Sequence, residues 1–140
     1  MTIALDATAL GAFMRAEFPQ VAGDFVVETV TPDLLTLRLV VAERHLRPGG
    51  TVSGPTMFAL ADVAFYLAIL SRIGAQALAV TTSCSIDFMR KPAAGSDLVA
   101  QVRLLKLGRV LAVGDVLIHS VGQPAPVARA SLTYSIPPKA

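Results

Sequence analysis

Cysteine and histidine, the residue types that most often hold metals or form covalent intermediates, are scarce in this sequence. The 140 residues include one cysteine, Cys84, and two histidines, His45 and His119, which lie far apart along the chain. A single cysteine excludes an intrachain disulfide and any zinc site built from several cysteines. We therefore expect no bound metal, and we interpret Cys84 as a small core residue. His45 is interpreted as a loop residue and His119 as a strand residue.

Charged residues are also few, and the basic ones form no cluster. Charged residues make up 16% of the sequence, hydrophobic residues 54%, and the formal net charge is +2. Without a run of basic residues, a nucleic-acid partner is not expected. The excess of apolar residues instead predicts that subunits bury surface against one another in an oligomer.

Signals for export or membrane insertion are missing as well. The first residues lack the basic segment and cleavage site of a signal peptide. The long apolar run over residues 57–70 carries Asp62, and at about 15 residues it is shorter than a membrane span. We therefore expect a soluble, cytoplasmic protein with no membrane partner, folded as one domain over residues 1–140.

The pattern of apolar residues predicts an α+β fold. Residues 6–18 have helical spacing with Asp6 as a candidate cap, and strands are predicted over 25–31, 35–42, 78–89, 97–107, 110–120 and 127–136. The first two strands should form a hairpin, and Gly108 should turn the chain between 97–107 and 110–120. In strand 78–89, regular alternation places the even-numbered residues, including Cys84, on one face and the odd-numbered residues, including Thr81, on the other. The antiparallel sheet should wrap around a long helix that ends near Gly74.

The most informative stretch is a glycine-rich turn that leads from Gly49 into the long apolar helix. Gly54 suits the N-cap of this helix and Pro55 its first position. Asp62 is the only acidic or basic residue within 57–70, and an unpaired carboxylate in apolar surroundings costs free energy. Two interpretations stay open: a structural Asp62 bonded to Tyr66 or to a loop amide, or a functional Asp62. The free N–H groups of the helix N-terminus, which can polarise a carbonyl group or hold an anion, favour the second.

Two segments resemble a known family. Residues 47–55, Arg-Pro-Gly-Gly-Thr-Val-Ser-Gly-Pro, and then Leu60-Ala61-Asp62 are similar to the Asn-x-x-Gly-x-x-His-Gly-Gly and Leu-Ala-Asp pattern of hotdog-fold acyl-CoA thioesterases of the phenylacetic-acid-degradation type. Residues 86–92, Ile-Asp-Phe-Met-Arg-Lys-Pro, and 95–98, Gly-Ser-Asp-Leu, resemble the family's aromatic-x-Arg-Pro and Gly-Asp-x-Leu stretch. The resemblance covers about residues 25–136. It implies the hotdog fold, an antiparallel sheet wrapped around a long central helix.

The sequence departs from the family pattern at four positions. Arg47 replaces the family's Asn, Ser53 its first His and Pro55 its second Gly, and Lys91 is inserted before the Pro. The N–H of Gly54 and the carboxylate of Asp62 are retained. These departures leave the orientation of the thioester and the choice of acyl group open.

The resemblance implies hydrolysis of an acyl-CoA thioester, with no cofactor beyond the coenzyme A of the substrate. Gly54 would donate its N–H to the carbonyl oxygen, on which negative charge develops. Asp62 would act as a base or as a nucleophile. Thr81 falls on the strand position where related enzymes carry a Ser or Thr that holds the water, although an ordinary β-branched strand residue is an equal alternative.

The remaining candidates concern substrate binding. Arg90 and Lys91 could hold the phosphates of coenzyme A, or they could be solvated charges at a strand end. Arg47 could bind a phosphate or an acyl carboxylate, or it could only fill the loop. Ser53 is a substrate-binding candidate by its position in the motif and a helix cap by its chemistry.

The spacing of Gly54 and Asp62 constrains any mechanism that uses both. Eight residues along one helix correspond to about 12 Å, so both groups cannot contact one carbonyl group from the same chain. If both act, the site is shared across a two-fold interface of a homodimer or homotetramer. Two other functions stay open: a non-catalytic acyl-CoA-binding protein, and an acyl-thioester dehydratase or hydratase. The second is disfavoured because such enzymes use a histidine with an acidic residue, and we expect no histidine near the central helix.

Overall fold

The computed structural model describes residues 2–138. Helices α1 and α2 precede a strand pair, the long helix α3 follows, and four strands complete the chain. The bounds are α1 Ala7–Glu17, α2 Pro19–Ala22, β1 Phe25–Val30, β2 Leu35–Leu39, α3 Gly54–Ile73, β3 Val80–Phe88, β4 Leu98–Leu107, β5 Leu111–Ser120 and β6 Pro126–Ser135. A short 3₁₀ turn, Glu43–His45, lies between β2 and α3.

The six strands form one antiparallel sheet that wraps around α3. The strand order is β1-β2-β4-β5-β6-β3, so β1 and β3 are the two edges. The predicted hairpins β1–β2 and β4–β5 are both present. This arrangement confirms the hotdog fold and places β3, the strand that follows α3 in sequence, at the far edge of the sheet.

Helix α3 forms the centre of the core because it is apolar on nearly every side. Twelve of its twenty residues are buried, including Phe65, Leu67 and Ile69. The helix ends next to Gly74, as predicted. Its 20 residues nevertheless exceed the predicted apolar run of about 15 residues, which is too short for a membrane span. By length and mean hydropathy (1.6) it could cross a membrane, but 67% of its most apolar stretch is buried inside the domain. Its apolar character is therefore that of a core helix.

The N-terminus of α3 differs by one residue from the prediction. Ser53, rather than Gly54, is the N-cap: its side-chain oxygen accepts the N–H of Thr56 at 3.3 Å. Gly54 and Pro55 therefore occupy the first turn of the helix. The predicted cap of α1 is correct, since the Asp6 carboxylate accepts the N–H of Ala9 at 2.9 Å.

A β-bulge in β3 overturns the predicted faces of this strand. The pairing with β6 shifts between Thr81 and Ser83, so Thr81 pairs with Tyr134 and Cys84 pairs with Leu132. An extra residue in one strand reverses the alternation on either side of it. Thr81 and Cys84 consequently both face α3, although simple alternation places them on opposite faces.

Candidate functional site

Asp62 is held in place by two hydroxyl groups from the sheet. Thr81 on β3 donates to the Asp62 Oδ1 atom at 2.6 Å. The Tyr134 hydroxyl on β6 is 2.8 Å from the same Oδ1 atom and 3.1 Å from the Asp62 carbonyl oxygen. Tyr66, the partner considered from the sequence, instead donates to the Ala77 carbonyl at 2.9 Å. Within residues 2–138, no hydrogen bond reaches the second carboxylate oxygen, Oδ2, and Asp62 is half-buried.

Tyr134 is a permanent donor at this position. Its side chain is 3% exposed, and burial together with the negative charge of Asp62 raises the pKa of the Tyr134 hydroxyl well above its ordinary value of 10.0. The phenol therefore stays protonated at every physiological pH and fixes the carboxylate. Sequence reasoning did not single out Tyr134, although alternation along β6 would have placed it on the inner face.

Cys84 lies on the same inner face of β3. Burial, and secondarily the charge of Asp62, raises the pKa of the Cys84 thiol above its ordinary value of 9.0. Only the thiolate is a good nucleophile. The environment of Cys84 therefore agrees with its interpretation as a packing residue.

Gly54 lines a separate cleft of about 430 Å³. The loop before α3 and the segment after β3 form its walls, with Phe88 and Met57 as apolar lining residues. A Cβ atom at Gly54 would lie 3.3 Å from the ring of Phe88, so glycine lets the ring approach the helix N-terminus closely. In this first turn Pro55 has no N–H and the Thr56 N–H is bonded to Ser53, so the Gly54 N–H is the one left without an acceptor within residues 2–138. The helix dipole makes the site attractive to negative charge.

Three cationic candidates from the sequence meet in this cleft. Arg47, Arg90 and Lys91 all line it, and all three are exposed. One Arg90 nitrogen donates to the Pro126 carbonyl at 2.7 Å, which fixes that side chain at the rim. No acidic residue is among the lining residues, so this cleft suits an anionic ligand.

Ser53 caps α3, which agrees with its interpretation as a helix cap, and it lies between two lining residues of the cleft, Val52 and Gly54. Besides capping α3, its hydroxyl lies 2.9 Å from the Thr56 hydroxyl. Its side chain is therefore engaged in local hydrogen bonds.

The structure thus divides the predicted site residues between two places. Asp62 and Thr81 lie together beside Tyr134, and Gly54 lies with the three cations. Both Gly54 and Asp62 are on α3, so about 12 Å of helix rise separates them. Among residues 2–138, no group of three His, Cys, Asp or Glu side chains could hold a metal ion.

One expectation about histidine is wrong. His45 lies beside the N-terminus of α3, where its carbonyl oxygen accepts the Ser53 N–H at 2.9 Å. Its ring is buried and does not line the cleft. Only the fold brings it there, since nine residues of sequence separate it from the start of the helix.

Comparison with known proteins identifies the class to which this fold and site belong. Residues 49–127 match the model of the thioesterase superfamily. A structure from Silicibacter sp. TM1040, assigned provisionally as a thioesterase, is 57% identical over 99% of this chain and 96% of its own, with a TM-score of 0.92. The chain belongs to the thioesterase superfamily.

Two further relatives refine this placement. The N33D variant of the phenylacetic acid degradation protein PaaI from Thermus thermophilus is 30% identical, covers 89% of this chain and 97% of its own, and has a TM-score of 0.68. A Deinococcus radiodurans protein, assigned provisionally as an esterase, is 38% identical over 68% of this chain, which spans 62% of that protein's length. Within the superfamily, the chain is of the PaaI-like hotdog type, which confirms the resemblance drawn from its motifs.

Proposed function

We propose that this protein hydrolyses acyl-CoA thioesters at a site shared between two subunits of a homo-oligomer. The observation that carries the proposal is the placement of two groups on α3. One carboxylate oxygen of Asp62 is held by hydrogen bonds, and the other is free of them within residues 2–138. Two turns away, Gly54 lines a cleft that also contains three cationic side chains. Membership of the thioesterase superfamily supports the reaction class.

The distance along α3 argues for a shared site. Gly54 and Asp62 of one chain are about 12 Å apart along the helix. The reaction needs shorter distances: the water must hydrogen-bond to the Asp62 carboxylate and lie in contact with the carbonyl group that Gly54 binds. A two-fold axis solves this by bringing Gly54 of one chain to Asp62 of another, twice per dimer.

The exposed edge of β3 supplies a surface for such a dimer. The two end residues of this strand, Val80 and Phe88, are 55% and 52% exposed, and Phe58 on α3 is 39% exposed. An edge strand with apolar neighbours is a ready surface for pairing with another chain. Pairing there would bury the apolar excess of the sequence next to both halves of the proposed site.

The chemistry assigned to these groups is attack on the thioester carbonyl carbon. With Asp62 as base, its free oxygen takes a proton from water as the oxygen of that water bonds to the carbon. The carbonyl oxygen becomes negative and accepts the Gly54 N–H; loss of one such donor costs about 10²–10³-fold in kcat in a well-studied protease. The C–S bond then breaks, and coenzyme A leaves as a thiolate that recovers a proton. With Asp62 as nucleophile, a mixed anhydride forms first and water cleaves it.

Substrate binding is assigned to the rim of the cleft. Arg47, Arg90 and Lys91 would bind the phosphates of coenzyme A, because fixed cations without competing carboxylates favour a polyanion. In this proposal the reaction uses no cofactor beyond the coenzyme A of the substrate and takes place in the cytoplasm. The acyl group is left to experiment.

The test is an Asp62→Asn variant assayed for thiol release over a panel of acyl-CoA substrates. We expect loss of most activity with retained folding. The matched control is Asp33→Asn, an exposed residue in the turn between β1 and β2 at the opposite edge of the sheet from β3; it should retain activity. Saturable acyl-CoA binding without turnover by the wild type would instead favour the non-catalytic binding protein. Near-normal activity of Asp62→Asn would remove this carboxylate from the mechanism.

A further inference from the structure

The loop that carries the cleft is closed at its base by His45 and Ser53. Inside the loop, Leu46 and Val52 form an isolated antiparallel bridge, and the Arg47 N–H donates to the Thr51 carbonyl at 2.9 Å. At the base, the Ser53 N–H donates to the His45 carbonyl at 2.9 Å. Because Ser53 is the N-cap of α3, the position of the His45 backbone sets where the helix and the Gly54 amide begin.

The imidazole of His45 is buried and hydrogen-bonded at one of its two nitrogens. Its Nδ1 atom accepts the Ala42 N–H at 2.9 Å, so the ring proton must be on Nε2. The Nε2 atom lies 3.4 Å from Oδ2 of Asp24 but makes no hydrogen bond within residues 2–138. The ring is 5% exposed. A buried ring tied to a backbone amide on one side has one orientation available.

The charged groups around this ring form a small cluster. Asp24 also pairs with the Arg44 guanidinium through its other oxygen. Burial would raise the pKa of Asp24, but the hydrogen bond and charge of Arg44, together with the nearby His45 ring, outweigh burial and lower that pKa. Asp24 is therefore a carboxylate that faces the Nε2–H of His45. Three consecutive features, the Asp24 carboxylate, the His45 ring and the Ser53 cap, connect the start of β1 to the start of α3.

We propose that His45 is a positioning residue that holds the Gly54 amide in the orientation required to donate to the thioester oxygen. The inference rests on the proposed function, in which Gly54 is the donor. His45 does not touch the substrate, and it acts through the backbone: its ring fixes its own carbonyl, that carbonyl fixes Ser53, and Ser53 fixes the first turn. Since Gly54 acts on charge that develops only in the transition state, misplacing it should lower kcat and leave KM nearly unchanged.

Two substitutions separate positioning from packing. His45→Asn retains an oxygen that can accept the Ala42 N–H, whereas His45→Phe keeps the ring volume and loses the acceptor. We expect His45→Phe to lower kcat by about 10- to 100-fold, which does not exceed the loss in kcat caused by removing an oxyanion donor completely. KM should change by less than about twofold. His45→Asn should restore kcat to within about threefold of wild type. His119→Phe, the other histidine, lies on β5 outside the cleft and serves as the control.

The opposite results would overturn the inference. These are wild-type kcat in His45→Phe, an equal loss in His45→Asn and His45→Phe, or a change confined to KM. Thermal melting of each variant establishes that it is folded at the assay temperature.

A second measurement does not depend on catalysis. Nitrogen-15 NMR of the wild type should find the His45 proton on Nε2, and the Gly54 amide resonance should shift in His45→Phe but stay close to its wild-type position in His45→Asn. An unmoved Gly54 resonance in His45→Phe would refute positioning. If the wild type lacks thioesterase activity, the proposed function fails while this measurement still decides whether His45 fixes the amide.

Discussion

The anchoring of Asp62 by Thr81 can be tested with two adjacent threonines. Thr81→Val removes the hydroxyl that donates to Asp62 at 2.6 Å. Thr82→Val removes a hydroxyl that donates to the Thr133 carbonyl at 3.2 Å from an exposed position. The two changes are chemically identical, and Thr82 is the extra residue of the β3 bulge, so they compare a hydroxyl that contacts Asp62 with an exposed one that does not.

The expected cost follows from the kind of hydrogen bond that is lost. A bond to a charged acceptor contributes about 1.5–3 kcal/mol, against about 1 kcal/mol for a neutral bond. Asp62 keeps its bond from Tyr134 in the Thr81→Val variant, so we expect the lower end, about 1.5 kcal/mol of unfolding free energy. Thr82→Val should cost less than about 0.5 kcal/mol because its hydroxyl is solvent-exposed.

The catalytic effect should follow the same order. A carboxylate freed from one of its two donors samples other orientations, and a transition-state loss of about 1.4 kcal/mol corresponds to a tenfold lower kcat. Urea unfolding measures the first quantity and thiol release from acyl-CoA the second. Equal effects of Thr81→Val and Thr82→Val in both assays would refute the claim that Thr81 orients Asp62.

Three further predictions concern the residues around this site and the core. Tyr134→Phe keeps the ring and removes both contacts to Asp62, so it should lower the unfolding free energy by about 2 kcal/mol in urea titrations; a loss below about 0.5 kcal/mol would contradict it. Gly114→Ala should lower the unfolding free energy by about 3 kcal/mol or more, because the new methyl group would overlap the Arg103 carbonyl and lie 2.8 Å from the Phe65 ring. Thermal melting should show a lower Tm, and an unchanged Tm would be inconsistent with this close approach. Asp97→Asn should destabilise the fold more at pH 7 than in acid. The hydrogen bond from the Val41 N–H outweighs burial and lowers the pKa of Asp97 from 3.8, so its carboxylate stabilises the fold above the unfolded pKa and loses this effect as pH falls through the folded one. Equal destabilisation in acid and neutral melts would argue against this prediction.

The sequence predicted the elements of this fold better than their local irregularities. Period-2 alternation located the buried leucines of β2, which are at most 2% exposed, and the scarcity of charge located α3 and Asp62. The N-cap was misplaced by one residue because both Ser53 and Gly54 are good cap residues, and only the hydrogen bond to Thr56 distinguishes them. A one-residue choice of this kind depends on the backbone path of the preceding loop.

The site was predicted in part for a similar reason. Motif spacing identified Asp62, Gly54 and the cations, each of which carries its chemistry in its own side chain or backbone. Tyr134 and Asp24 are far from the motif in sequence, so their roles depend on strand pairing and on the path of the loop. Contacts between distant segments leave no local pattern in one sequence.

The bulge in β3 has a consequence for how this strand can change. Thr82 is one extra residue that changes which side chains before it point inward. Because β3 is an edge strand paired with β6 on one side of the sheet, only the β3–β6 pairing has to accommodate this residue. Deleting Thr82 would give regular pairing with Thr81 still opposite Tyr134 and facing the helix. Straightening the strand with Thr82 retained would instead turn the Thr81 hydroxyl toward solvent. The contact between Thr81 and the acidic side chain therefore depends on the extra residue staying outside the ladder, and the strand could lose that residue without losing the contact.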